Sequence, residues 1–110
     1  MATIELSQSD NGATRNATIG NEIEVTLEEI ATSGYRWSVE EVDVAVLHQA
    51  DDLYEPPQSG RPGASGVRRY RFRVVGAGTS PIRLALARSW DPAARAGSFE
   101  VTIVAAEAGG

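Results

Sequence analysis

Polar and apolar residues exchange at every step along Glu22-Ile23-Glu24-Val25-Thr26-Leu27-Glu28. A period of two sends successive side chains to opposite faces of a strand, whereas on a helix it would scatter the apolar set around the axis. The same alternation runs through Arg69–Val74, with Tyr70, Phe72 and Val74 on the inner face. Ile82, Leu84 and Leu86 repeat it, as do Phe99, Val101 and Ile103. Shorter candidates are Thr3–Leu6, Ala13–Ala17, Tyr35–Val39 and Val44–Gln49. Gly-rich or Pro-rich turn signals separate the runs at Asp10-Asn11-Gly12, Ser33-Gly34, Pro56 to Gly66 and Gly76-Ala77-Gly78. No segment holds a 3.6 period. Six to eight short strands in 110 residues predict an all-β, antiparallel sandwich with little or no helix. The Cys–Trp–Cys pattern of antibody domains is absent, so any immunoglobulin likeness is architectural.

Composition narrows the chemistry. The chain has no Cys and a single His, His48. That excludes a disulfide scaffold, a thiol nucleophile, a cysteine-ligated metal and a multi-histidine site. A serine triad would need His48, and no Gly-x-Ser-x-Gly elbow accompanies it. His48 reads as an exposed or structural side chain. Asp51, Asp52 and Glu55 lack the ligand spacing of a calcium loop and read as a solvated acidic stretch. No catalytic residue, metal or cofactor is implied. No apolar run approaches the ~18 residues of a membrane span, and the N-terminus shows no signal-peptide pattern.

All ten basic residues are Arg, and their placement is uneven. Residues 1–60 hold twelve acids and two Arg, a net of −10; residues 61–110 hold eight Arg and three acids, a net of +5. Complementary halves are expected to lie against each other. The stripe Arg69, Arg71, Arg73 could track phosphates, but Glu22, Glu24 and Glu28 form an opposing stripe on another strand. Cross-strand pairing is the better reading, and an overall charge of −5 argues against nucleic acid.

Two segments resist a purely structural account: Thr32-Ser33-Gly34-Tyr35-Arg36-Trp37 and Arg88-Ser89-Trp90-Asp91-Pro92. Trp37 falls on a strand and reads as core. Trp90 lies past its strand, in a turn, where it either caps the core or makes a binding contact; Trp and Arg are over-represented at binding hot spots. The stretch Asp51–Gly66, with Pro56-Pro57, Gly60, Gly63 and Gly66, reads as a long irregular loop of the kind that carries function.

The order of these pieces resembles the chagasin family of inhibitors of papain-like cysteine peptidases. The family pattern Asn-Pro-Thr-Thr-Gly-Tyr-x-Trp corresponds to Ile30-Ala31-Thr32-Ser33-Gly34-Tyr35-Arg36-Trp37. Its Gly-rich loop corresponds to Gly63-Ala64-Ser65-Gly66, and its Arg-Pro-Trp to Arg88-Ser89-Trp90. The resemblance covers roughly residues 20–105. It implies an immunoglobulin-like sandwich, residues 1–110 as one monomeric inhibitor domain with a frayed tail at 106–110, and three loops at one end that enter a peptidase cleft. The peptidase-binding residues it implies are Thr32, Ser33, Gly34, Gly63, Ala64, Ser65, Gly66, Arg88, Ser89 and Trp90. Inhibition would be reversible and tight, with no cofactor, nucleic acid or membrane as partner. Ile30 and Ala31 replace Asn-Pro, so the first loop is expected to be less stiff than in a chain with the full motif. The alternative reading is an immunoglobulin-like adhesion or carbohydrate-binding module with Trp90 as a stacking platform.

Overall fold

The computed structural model describes residues 2–58 and 63–108. Eight strands form: β1 (Thr3–Ser7), β2 (Thr14–Thr18), β3 (Glu22–Glu29), β4 (Tyr35–Glu41), β5 (Leu47–Glu55), β6 (Gly66–Val74), β7 (Gly78–Arg88) and β8 (Asp91–Ala106). Among the described residues the only helical pieces are two three-residue 3-10 turns, Gln8–Asp10 and Ala31–Ser33. The strands make two four-stranded sheets, ordered β1-β3-β6-β5 and β2-β8-β7-β4.

The alternating runs bury the faces their period predicts. Ile23, Val25 and Leu27 of β3 meet Tyr70, Phe72 and Val74 of β6 in one sheet. Ile82 and Leu84 of β7 and Phe99, Val101 and Ile103 of β8 face them from the other. Trp37 is buried at 7% exposure, and Leu86 packs against the cluster from its edge. Each such aliphatic or aromatic side chain contributes roughly 1.5–3 kcal/mol on burial.

Charge pairing follows the register. Glu24 faces Arg71 and Glu22 faces Arg73, with ion pairs of 2.9 and 3.8 Å. Arg69 departs from the expected stripe: it lies opposite Thr26 and reaches Glu55 of β5 at 3.2 Å instead. Glu28 lies opposite Val67. These pairs are exposed and screened by solvent, so they fix register more than they stabilise the fold.

Three features differ from the sequence reading. First, β1 pairs parallel to β3, and β2 parallel to β8, rather than antiparallel. The chain leaves the first sheet after β1, runs along the second as β2 and returns as β3, so β1 and β3 point the same way. Second, Asp51–Glu55 are not loop but the second half of β5. This edge strand buries Leu47 alone, and a bulge between Gln49 and Asp51 interrupts its phase. Its acidic side chains are held by arginines of β6, with Asp52 2.9 Å from Arg68, so no apolar alternation marks it. Third, β8 begins at Asp91 rather than Phe99. Residues 91–96 are exposed and are held by hairpin pairing to β7, not by burial. At the other end Ala106 still pairs with Thr18, and Glu107 and Ala108 follow without regular structure.

The Tyr70 hydroxyl donates to the Trp37 carbonyl oxygen at 2.7 Å, joining the two sheets inside the core. Burial, and after it the negative charge of Asp52, push this phenol up to about 12. The native state therefore keeps a proton that the unfolded chain releases near pH 10. The resulting stability is complete below pH 10 and is lost as the pH rises from 10 to 12. Denaturant unfolding at pH 9 and pH 11.5 should show this fall in the wild type and a shallower one in Tyr70→Phe. Equal falls would remove Tyr70 as the titrating group.

Candidate functional site

Strand register brings the three singled-out segments to one end. Glu29, the last residue of β3, pairs with Gly66, the first of β6. Tyr35, the first of β4, pairs with Arg88, the last of β7. The connections leaving these residues, 30–34, 63–65 and 89–90, therefore emerge side by side. Residues 59–62, including Gly60 of the sequence reading, lie outside the described residues.

Below the loops sits a buried carboxylate. Glu29 is 2% exposed and accepts the Trp37 backbone N–H at 2.8 Å. Arg68 closes on it with two bonds, Nε at 3.3 Å and a terminal nitrogen at 2.7 Å. Burial lowers the pKa of Arg68, but its bonds to Glu29 and Asp52 outweigh that and hold it above its ordinary value. The Trp37 indole N–H donates to the Glu28 carbonyl at 2.8 Å, and the Tyr54 hydroxyl donates to that of Glu29 at 3.3 Å. The end of β3 is thus tied to both sheets just before the chain enters the first loop. Breaking one side of such a buried pair costs about 3–5 kcal/mol.

The first loop is a tight turn. Ser33 donates to the Ile30 carbonyl from its backbone N–H at 3.0 Å and from its hydroxyl at 2.6 Å. The same hydroxyl accepts the Tyr35 N–H at 3.1 Å. Gly34 has φ +81°, a left-handed conformation that side chains resist. Space excludes a side chain as well: a Cβ there would stand 2.7 Å from the Trp90 ring. Trp90 itself, in the two-residue turn Ser89-Trp90, is 70% exposed. It does not cap the core.

Arg88 lies between the first and third loops. Its guanidinium carbon is 4.3 Å from the centre of the Tyr35 ring and 5.7 Å from that of Trp90. Its Nε donates to the Ser33 carbonyl at 3.3 Å. The second loop is supported differently. Gly66 is buried, and a Cβ on it would overlap the Tyr54 hydroxyl. Ser65 shares a cleft of about 280 Å³ with Ile30, Ser33, Tyr35 and Leu86, between the first and second loops. Gly63 and Ala64 precede Ser65 in this loop, Gly63 exposed with φ +78° and Ala64 half-buried.

Thr32, Ser33 and Gly34 thus share one surface with Arg88, Ser89 and Trp90, and Ser65 joins it across the cleft. Sequence reasoning missed Glu29 and Arg68. Extending the β3 alternation by one inward step would have placed a carboxylate in the core and demanded a cationic partner for it.

The family model described as "Chagasin family peptidase inhibitor I42" matches residues 16–103. Chagasin of Trypanosoma cruzi is 29% identical over 90 residues, spanning 78% of this chain and 82% of that protein. The cysteine protease inhibitor EhICP2 of Entamoeba histolytica has a similar crystal structure, with a TM-score of 0.86 at 23% identity over 96% of this chain and 97% of that one. The solution structure of amebosin gives 0.77 at 24% identity, over 94% and 97%. PbICP-C, solved in complex with falcipain-2, gives 0.64 at 13% identity, over 98% and 100%. With the family pattern spanning both sheets and the three loops at one end, the chain belongs to the chagasin family of peptidase inhibitors.

Proposed function

We propose that the chain inhibits papain-like cysteine peptidases by inserting residues 32–34, 63–66 and 88–90 into the active-site cleft. The observation that carries this reading is the convergence of the three family loops at one end, crowned by an exposed Trp90. The solved complex of PbICP-C with falcipain-2 supports it by relation. Thr32-Ser33-Gly34 suits a narrow slot because its side chains are small. Trp90 offers a large, stiff apolar face beside it. Occlusion of this kind needs no nucleophile, metal or general base from the inhibitor, and the chain is not an enzyme. Inhibition is reversible because the first loop crosses the cleft without presenting a peptide carbonyl in line for attack. The adhesion or carbohydrate-binding reading gives way to family membership.

Titration against active papain should abolish activity reversibly, and papain that keeps full activity in excess inhibitor would refute the reading. Trp90→Ala should weaken inhibition by about 2 kcal/mol, roughly 30-fold, as loss of a hot-spot aromatic does. Its thermal midpoint should stay near the wild-type value because the ring is 70% exposed. Normal inhibition by this variant would take Trp90 out of the interface.

Ile30→Asn with Ala31→Pro restores the Asn-Pro of the family's first motif, with Ser33 still in place of the second Thr. Residue 31 opens the 3-10 turn Ala31–Ser33, a position where Pro is tolerated. A compatible Pro and one added hydrogen bond contribute about 0.4–1 and about 1 kcal/mol. Dissociation from papain should slow by about tenfold, and by no more than about 30-fold. The Ser33 bonds already supply part of that stiffness, so the larger figure is an upper bound. Unchanged or faster dissociation would defeat the stiffness argument.

A further inference from the structure

Arg88 belongs to the family's third motif, and its surroundings give it a task apart from touching a target. It is half-buried, and its guanidinium stacks on Tyr35 at 4.3 Å, within the ~6 Å reach of a cation–π contact, while Trp90 lies at 5.7 Å. Its Nε is already engaged by the Ser33 carbonyl. That carbonyl belongs to the peptide preceding Gly34, whose missing Cβ lets the Trp90 ring close over the turn. One planar side chain on the last position of β7 therefore touches the C-terminal side of the first loop, at Ser33 and Tyr35, and the Trp90 ring of the third.

We propose that Arg88 is a positioning residue that fuses the first and third loops into one preorganised body. Tyr35 is the platform it needs, while the second loop stands apart on Tyr54. This deepens the inhibitory reading and rests on it for its kinetic consequence, though not for its structural one. A flat, delocalised guanidinium can lie face-on over a ring and donate from Nε in its own plane at the same time, a geometry that the tetrahedral, strongly hydrated ammonium of Lys does not reproduce. Lys is therefore not a conservative replacement, and loss of the platform should have the same consequence as loss of the guanidinium. Binding to a loop pair that is already ordered avoids an entropy cost at association, so the clamp acts mainly on how long a complex lasts.

The test uses Arg88→Lys, Tyr35→Leu and the double variant. In the free protein, amide hydrogen exchange at Gly34 and Tyr35 should accelerate about tenfold in each variant, with the amides of Trp37 and Phe72 and the thermal midpoint unchanged. Exchange at the wild-type rate in Arg88→Lys would overturn the clamp whatever the target is. Against papain, each single change should speed dissociation about tenfold, and the double variant should be little worse than either. Additive losses, or a normal Tyr35→Leu, would mean that Arg88 acts as a direct contact. If exchange responds as expected and papain is not inhibited by the wild type, the clamp stands and the choice of target fails instead.

Discussion

The carboxylate of Glu29 lies where β3 must leave one sheet and hand the chain to β4 in the other. Desolvating it alone would cost several kcal/mol. Two nitrogens of Arg68 on β6 and the Trp37 N–H on β4 offset that cost. The network can form only when β3, β4 and β6 are in register together. Apolar alternation already opposes a one-residue slip, which would turn the inner face outward; a buried charge further demands one particular partner. The end of the sandwich from which the first loop departs is therefore the part whose geometry is most tightly specified. The loop above it begins from a fixed point.

That rigidity divides the labour between scaffold and loops. Below Glu29 the molecule consists of interdigitated aliphatic and aromatic side chains. Above it, conformation is held by hydrogen bonds of Ser33 and by close packing of ring on glycine. Among the described residues of this end Trp90 has the most exposed apolar side chain, with Ile30 of the first loop also exposed, and its ring is positioned by contacts that leave most of it uncovered.

Sequence reasoning found the elements whose stability comes from burial. β3, β6, β7 and the inner half of β8 announce themselves by alternation, because each has one dry face. It lost β5 beyond Gln49 and β8 before Phe99, which are held by pairing and charge. Asp52 in β5 pairs in register with Tyr70, and its carboxylate reaches Arg68 diagonally on the same neighbouring strand, a fact no local window contains. The site was legible as motifs: Ser33-Gly34-Tyr35 and Arg88-Ser89-Trp90 could be singled out, and register then explains why they meet. Glu29 stayed hidden because Glu28-Glu29 looks like a solvated acidic end. Only the three-dimensional partner distinguishes the wet glutamate from the dry one.

The segregation of charge along the chain has a consequence during synthesis. Glu24 meets Arg71 across 47 residues of sequence, and the first sixty residues carry a net −10. Until β6 has been made, β3 has only the short β1 beside it and lacks the cations that neutralise its outer face. Like charges then repel along the nascent segment, which disfavours premature collapse and self-association of its alternating strand. The arginine-rich strand supplies backbone partner and counter-charge together. Folding of this sandwich is thereby tied to long-range pairing, with the slow, late assembly that such topology brings.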